Sequence, residues 1–393
     1  MKDNKNIITV KADDYLQLLQ IKYDCETIRS LTPYIRNNGV IAFGLIPYVS
    51  LAANTVLEIV DPKTKEEISY SKRIENVRLK LKFFEDGYSR SKRMLLNIDY
   101  LQNEDFKNRL KFSVLKNLNV HYNLGIYTNK DKVVVGNTQY SCYLLQDNRM
   151  LKKKIEEIAT AYATTPENFN LNEQAGKECF NYSYACGKII GSACKALANF
   201  DSSISIKSRE QPIDMYCSDI NTNTSDFITS KKCDKGAVLY LLHILSTLNF
   251  LLYVLNGFEQ DDYGWWLKIN YIAYYYSIMK LKSLKEHYIQ NKPMPNELSD
   301  LFDNLNLETA PYMNGTFRSY VMHSSLNDKN GNFIISKLNF NQSKPLFGLV
   351  ESCFDGKSYE EIKVSVIAEM KHISDILSQW LNTQSLNIKL LKD

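Results

Sequence analysis

Glycine and proline are scarce in this chain of 393 residues, which contains only 15 Gly and 9 Pro. Because many-turned β architectures depend on these residues for their turns, the scarcity argues against such folds and favours long uninterrupted helices. The composition also differs from that of a disordered chain, since 44% of the residues are hydrophobic and 12% are aromatic. The sequence therefore predicts a globular, mainly α-helical protein.

Motifs for disulfide frameworks, metals and nucleotides are lacking as well. The eight cysteines include no CxxC pair, and no Cys/His spacing matches a zinc finger. No GxGxxG, GxSxG or HExxH occurs, and GKIIGS lacks a P-loop's first glycine and its Ser/Thr, where Tyr182 and Ile189 stand. We expect reduced thiols, no cofactor and no metal. We also expect a cytoplasmic location, because residues 1–14 contain no apolar core of signal-peptide length.

Charge of one sign is not in large excess, since the formal net charge is +4. This near balance neither requires nor excludes a nucleic-acid partner. Basic residues are concentrated at 72–82, 89–93 and 152–154. Such stretches are typical of solvated helix faces, and only clustering in three dimensions would make them a phosphate-binding surface.

Two long uncharged runs occur, at 37–57 and 236–258. The first contains Pro47 and is expected to be a buried helix broken or kinked near the proline, and the second is the stronger candidate because it is long enough to span a bilayer. At 100° per residue, leucines and isoleucines form one face, and polar residues such as His243, Ser246 and Asn249 gather on the other. This pattern is typical of an amphipathic or deeply packed helix. We therefore expect no membrane association.

Three parts can be distinguished along the chain. Residues 1–200 are predicted to form a mostly helical domain of unknown role, with a small β-hairpin within 120–146 around the turn-like NKDK. Residues 201–235 are polar and aperiodic, as in a linker or a long loop, and 236–393 are predicted to form a helical bundle. Helical patterns occur at 12–31, 39–60, 66–86, 88–101, 104–117, 147–163, 172–199, 236–257, 263–290, 297–305 and 358–381.

Catalytic residue types occur together in FRSYVMHSSL, residues 317–326. Thr316 is a suitable N-cap for a helix on which Ser319 and His323 would share a face, with Arg318 about 140° around from His323. Histidine can move protons near neutral pH, and arginine can hold a phosphate and stabilise charge in a transition state. This combination suits cleavage of RNA by its own 2′-hydroxyl. The same spacing also fits a structural histidine, which is the commoner role on a helix.

The motif resembles the R-(polar)-x3-H motif of the HEPN superfamily, and the similarity covers residues 236–385. The resemblance implies a helical bundle in which Arg318 and His323 are catalytic, with Ser319 in the polar position usually held by Asn, Asp or His. It implies a metal-independent endoribonuclease that leaves 2′,3′-cyclic phosphates. Family members generally act as homodimers, many of them in toxin–antitoxin or antiviral defence systems.

The partners implied by this resemblance are RNA, a second copy of the chain and an antitoxin or regulatory protein. Because Ser319 departs from the usual motif, a catalytically inactive RNA- or protein-binding module is the alternative. The nearby aromatic run YIAYYYSIM, residues 271–279, is expected in the core or in a dimer interface, with base stacking as a third possibility.

Overall fold

The protein is mainly α-helical, which confirms the predicted fold class. The computed structural model describes residues 12–35, 39–59, 71, 74–75, 87–116, 124–136, 148–165, 171–200, 205–223, 233–291, 293–383 and 389–390. The helices in these ranges are α1 (Ala12–Ile35), α2 (Gly39–Ile59), α3 (Tyr88–Lys116), α4 (Asn148–Thr164), α5 (Leu171–Ala196), α6 (Lys235–Tyr253), α7 (Trp265–Asn291), α8 (Asn296–Leu305), α9 (Gly315–His323), α10 (Leu349–Cys353) and α11 (Tyr359–Leu381). Most of the helix expected at 66–86 lies outside the described residues.

A small antiparallel sheet accompanies the helices. Its strands are β1 (Leu124–Asn129), β2 (Lys132–Gly136), β3 (Met215–Ile220) and β4 (Lys389–Leu390), in the order β2-β1-β3-β4. Strands β1 and β2 form the hairpin predicted around NKDK, and Lys130 in its turn has a φ of 56°.

Strand β3 lies inside the polar segment 201–235, for which the sequence predicts no regular structure. It pairs along its whole length with β1, which comes far earlier in the chain. Backbone hydrogen bonds to such a distant partner can stabilise a strand within a polar segment that shows no period of its own. The division into 1–200, 201–235 and 236–393 stays a prediction, and buried apolar side chains from both large parts belong to one continuous cluster.

Helix α3 is continuous where the sequence predicts two helices, at 88–101 and 104–117. The junction, Gln102 and Asn103, contains no proline or glycine, and both side chains are buried. Asn103 Nδ2 donates hydrogen bonds to the backbone oxygen of Asp99 at 2.9 Å and to its carboxylate at 3.1 Å. The Asn103 side chain therefore bonds back to the helix and does not end it.

Helix α6 is the central helix, and it is buried on nearly every side. Even the residues expected on its polar face, His243, Ser246 and Asn249, are inaccessible. The Ser374 hydroxyl of α11 donates a hydrogen bond to Asn249 Oδ1, so part of this face is satisfied within the protein. By length and composition, Val40–Glu58 and Lys235–Phe258 could each cross a membrane, and both are mostly buried against protein.

Three of the contacts between the N-terminal and the C-terminal helices bear on the position of α9 and its surroundings. Lys268 of α7 and Asp24 of α1 form a buried ion pair. Gly44 of α2 lies so near α6 that a Cβ added there would be 2.3 Å from the Phe250 ring. The hydroxyls of Thr55 and Ser324 lie 3.4 Å apart, which places the last turns of α2 beside the end of α9.

Candidate functional site

Helix α9 carries all three predicted site residues, and its start differs from the sequence prediction. Asn314, and not Thr316, is the N-cap, because its side-chain oxygen accepts a hydrogen bond from the Phe317 backbone N–H at 2.9 Å. The Asn314 side chain also donates to the Cys353 backbone oxygen at 2.6 Å, and its backbone N–H donates to the Tyr271 hydroxyl at 2.9 Å. These tertiary bonds select the asparagine over the threonine two residues later.

The apolar face of α9 anchors the helix to its neighbours. Phe317, Tyr320, Val321 and Met322 are buried. The Phe317 ring packs edge-on against Tyr271 and Phe354, with centroids 4.6 Å and 5.3 Å away. The opposite side of α9 is therefore held in a defined position relative to α7.

Arg318 is half-buried, and its guanidinium packs on aromatic rings of α7. Its central carbon lies 5.6 Å from the Tyr275 ring centroid and 5.9 Å from that of Tyr276. Both distances are within the range of cation–π attraction. Part of the aromatic run 271–279 thus holds the arginine, a role that the sequence interpretation did not include.

His323 is the last residue of α9 and is half-exposed, with 50% of its side chain accessible. Its Nδ1 lies 4.0 Å from Oε1 of Glu58, near the end of α2, where the glutamate side chain is 38% accessible. Asn54, one turn earlier on α2, donates a hydrogen bond of 2.8 Å to the same glutamate oxygen. The imidazole therefore has an oriented carboxylate beside it and an open route to solvent.

The three predicted residues do not all meet at one point. Ser319 is exposed and lies one turn before the exposed His323, so these two share a solvent face as expected. Arg318 contacts the tyrosines of α7, whereas His323 contacts α2. The expectation that the Arg318 side chain reaches the same groove as His323 stays a prediction.

This arrangement can support proton transfer. An accessible imidazole can accept and return a proton, and a neighbouring carboxylate can orient the ring and stabilise its charged form. Within the described ranges, no group of three or more His, Cys, Asp or Glu side chains is placed to hold a metal ion. Cys25, Cys186, Cys194, Cys233 and Cys353 are free thiols.

His243, on α6, has the opposite surroundings to His323, because its side chain is buried. Burial lowers its pKa well below the ordinary value of 6.5, with the nearby Lys280 charge adding to the shift. A group held neutral and out of reach of solvent cannot exchange protons with a substrate. His372 on α11 is exposed and serves as a natural reference for His323.

Glu58 is the site residue that sequence reasoning missed. It lies at the end of an otherwise uncharged helix, α2, and far from the motif along the chain. A lone glutamate at the end of an apolar helix was a weak signal, because helices commonly end in polar residues.

In comparisons with known proteins, no family model, no curated protein and no solved structure matches the chain. The similarity to HEPN domains therefore depends on the motif and on the predicted order of helices.

Proposed function

We propose that this protein is a metal-independent endoribonuclease of the HEPN type, with His323 as the group that moves protons. The observation that supports this best is the placement of His323, which is half-exposed at the end of an anchored helix with the Glu58 carboxylate 4.0 Å away. Glu58 is proposed to be a positioning residue, because it would act through the imidazole.

In the proposed reaction, the 2′-hydroxyl oxygen of a ribose attacks the adjacent phosphorus while the bond to the 5′ oxygen breaks. The 2′ proton leaves to a base, the departing 5′ oxygen gains a proton, and the products are a 2′,3′-cyclic phosphate and a 5′-hydroxyl end. Two histidines serve these two transfers best. In the family that the motif resembles, two motifs face each other in a homodimer, so His323 of each protomer would supply one transfer.

Arg318 is proposed to bind the phosphate that reacts. Its packing on Tyr275 and Tyr276 restricts the guanidinium and reduces the entropy lost on binding. A planar, permanently charged group of this kind stabilises the additional negative charge of the transition state. By the resemblance, the setting is defence or stress response in the cytoplasm, with RNA as substrate and an antitoxin or regulatory protein as a further partner.

A second candidate is an RNA- or protein-binding module without catalytic activity. It is favoured by one observation, that Arg318 and His323 contact different helices. On this alternative the protein would bind RNA and leave it intact.

The test is an RNA cleavage assay in EDTA that compares the wild type with His323→Ala and Arg318→Ala. Loss of a general acid–base group is expected to reduce the cleavage rate about 10²- to 10⁴-fold. The matched control is His372→Ala, which removes an exposed histidine from α11 and is expected to leave the rate unchanged. Mapping of the product ends is expected to find 2′,3′-cyclic phosphates. Equal cleavage by the wild type and His323→Ala would rule out this site.

Glu58→Gln tests the positioning role. The substitution keeps the shape of the side chain and removes its charge, so we expect a lower kcat with an unchanged KM and a displaced pH–rate profile. A variant with the wild-type profile would show that Glu58 does not act on His323.

A further inference from the structure

One exposed side of α5 carries an unusual combination of residues, which we call the α5 stripe. Its members are exposed and lie within about 100° of the helix circumference. They are Phe180, Tyr184, Gly187, Lys188, Gly191 and Lys195. The proposed reaction does not use the stripe.

Two large aromatic side chains of the stripe face solvent side by side. Phe180 is 71% exposed and Tyr184 is 56% exposed. Their rings are within 11° of parallel, and the ring centroids are 6.5 Å apart. An adjacent pair of solvated aromatic faces leaves much apolar area in water, and it suits a ligand that is itself flat and aromatic.

The rest of the stripe is positively charged and open. Lys188 Nζ lies over the Tyr184 ring, 4.8 Å from its centroid, so a cation contacts one member of the aromatic pair directly. Lys195 lies in the last turn of α5, and residues 180–196 contain no Asp or Glu. A Cβ added at Gly187 or Gly191 would meet nothing within 4 Å, so neither glycine is required by packing, and both leave bare backbone at the surface.

We propose that the α5 stripe binds single-stranded RNA. Unpaired bases would stack on Phe180 and Tyr184, and the phosphates would pass close over the two glycines toward Lys188 and Lys195. Stacking platforms combined with cations are the way in which proteins hold single strands without reading their sequence. The choice of RNA over DNA rests on the proposed function, whereas the choice of a single strand rests on the exposed ring faces, which paired bases cannot cover.

The test measures RNA affinity in the His323→Ala background, so that the probe is not cleaved. The probe is a fluorescent oligouridine of about ten nucleotides, followed by anisotropy, with a duplex RNA of the same length as comparison. We expect Phe180→Ala/Tyr184→Ala to weaken binding of the single strand about 30-fold or more, since each stacked base contributes at least about 5-fold, and the duplex to bind weakly to every variant.

The matched control is Tyr100→Ala, which removes a tyrosine that is 52% exposed on α3. It is expected to leave the affinity unchanged. The two lysines are tested by salt dependence. Lys188→Gln/Lys195→Gln is expected to reduce the slope of log affinity against log salt by about 1.4, since each phosphate contact on a single strand contributes about 0.7.

Unchanged affinity of the aromatic variant for the oligouridine, with its helical circular dichroism intact, would overturn the proposal. So would a change in sedimentation without a change in RNA affinity, because the stripe would then contact protein. Failure here is distinguishable from failure of the proposed function. Cleavage that depends on His323 with no effect of the stripe variants would refute the stripe alone. Binding that depends on the stripe, in a protein that cleaves no RNA, would refute the nuclease alone.

Discussion

Two of the contacts between acidic and basic side chains that join the N-terminal helices to the C-terminal ones differ in their access to water. Asp24 of α1 and Lys268 of α7 are 5% and 2% exposed, whereas Glu58 of α2 and His323 of α9 are 38% and 50% exposed. The buried pair has further support, because Gln20 donates a hydrogen bond of 2.9 Å to Asp24 and Lys268 lies 5.7 Å from the Tyr320 ring centroid.

The difference in exposure gives the two contacts different roles. A buried pair has lost its water and is held in place by its partners, so it contributes to which helices pack together. A half-exposed pair contributes little to stability, but it can meet a substrate and exchange a proton. The two contacts thus divide the roles, since the α1–α7 contact fixes the fold beneath α9 and the α2–α9 contact supplies the candidate site.

Asp24→Ala should show the largest effect. It leaves the Lys268 ammonium buried without its carboxylate, and we expect a loss of about 3–5 kcal/mol in the free energy of unfolding. Chemical denaturation measures this loss. As a control, the double variant Asp24→Asn/Lys268→Met removes both charges and is expected to recover much of the stability. A loss below about 1 kcal/mol for the single variant would mean that the pair does not define this contact.

Gly44→Ala tests how closely α2, which carries Glu58, must approach α6. The new Cβ would collide with the Phe250 ring, and overpacking of this kind costs about 1–3 kcal/mol, against which helix propensity returns about 1 kcal/mol. We expect a net loss of stability in thermal or chemical unfolding. Gly187→Ala on α5 is the matched control, since its Cβ meets nothing, and it is expected to stabilise the protein.

A pH titration extends the comparison to the buried histidine. The pKa of His243 in the folded protein is depressed, so the unfolded chain binds the additional proton. Its contribution is therefore complete above about pH 6.5 and is lost as the pH falls below that value, by about 1.4 kcal/mol per pH unit. Urea unfolding between pH 7 and pH 5 should show this slope in the wild type and a shallower slope in His243→Gln. Equal slopes would contradict the neutral, buried state.

Glu58→Ala should have the smallest effect on stability. The pair with His323 is half-exposed and 4.0 Å long, so we expect a change of at most about 1 kcal/mol in the free energy of unfolding, although RNA cleavage should fall. Denaturation and cleavage measured on the same preparation separate the two effects. A loss as large as that of Asp24→Ala would remove the distinction between the two contacts.

Features with local causes could be predicted from the sequence. The hairpin was recognisable because NKDK separates two β-rich runs. Helix α6 was recognisable from its length and periodicity, and α7 from its long aromatic-rich run. Strand β3 and the contact of His323 with Glu58 could not be predicted, since each depends on residues far away in the chain. The N-cap of α9 shows the same limit, because Asn314 and Thr316 are both good caps and the choice between them depends on Tyr271 and Cys353.

The contact between α2 and α9 also has a consequence for the newly made chain. The hydroxyls of Thr55 and Ser324, which meet beside Glu58 and His323, are separated by 269 residues. Residues of α2 leave the ribosome long before α9 has been synthesised, so α2 is at first without the helix that it contacts in the folded protein. The contact between α2 and α9 can therefore form only after translation has passed Ser324, and α2 remains without this packing surface until then.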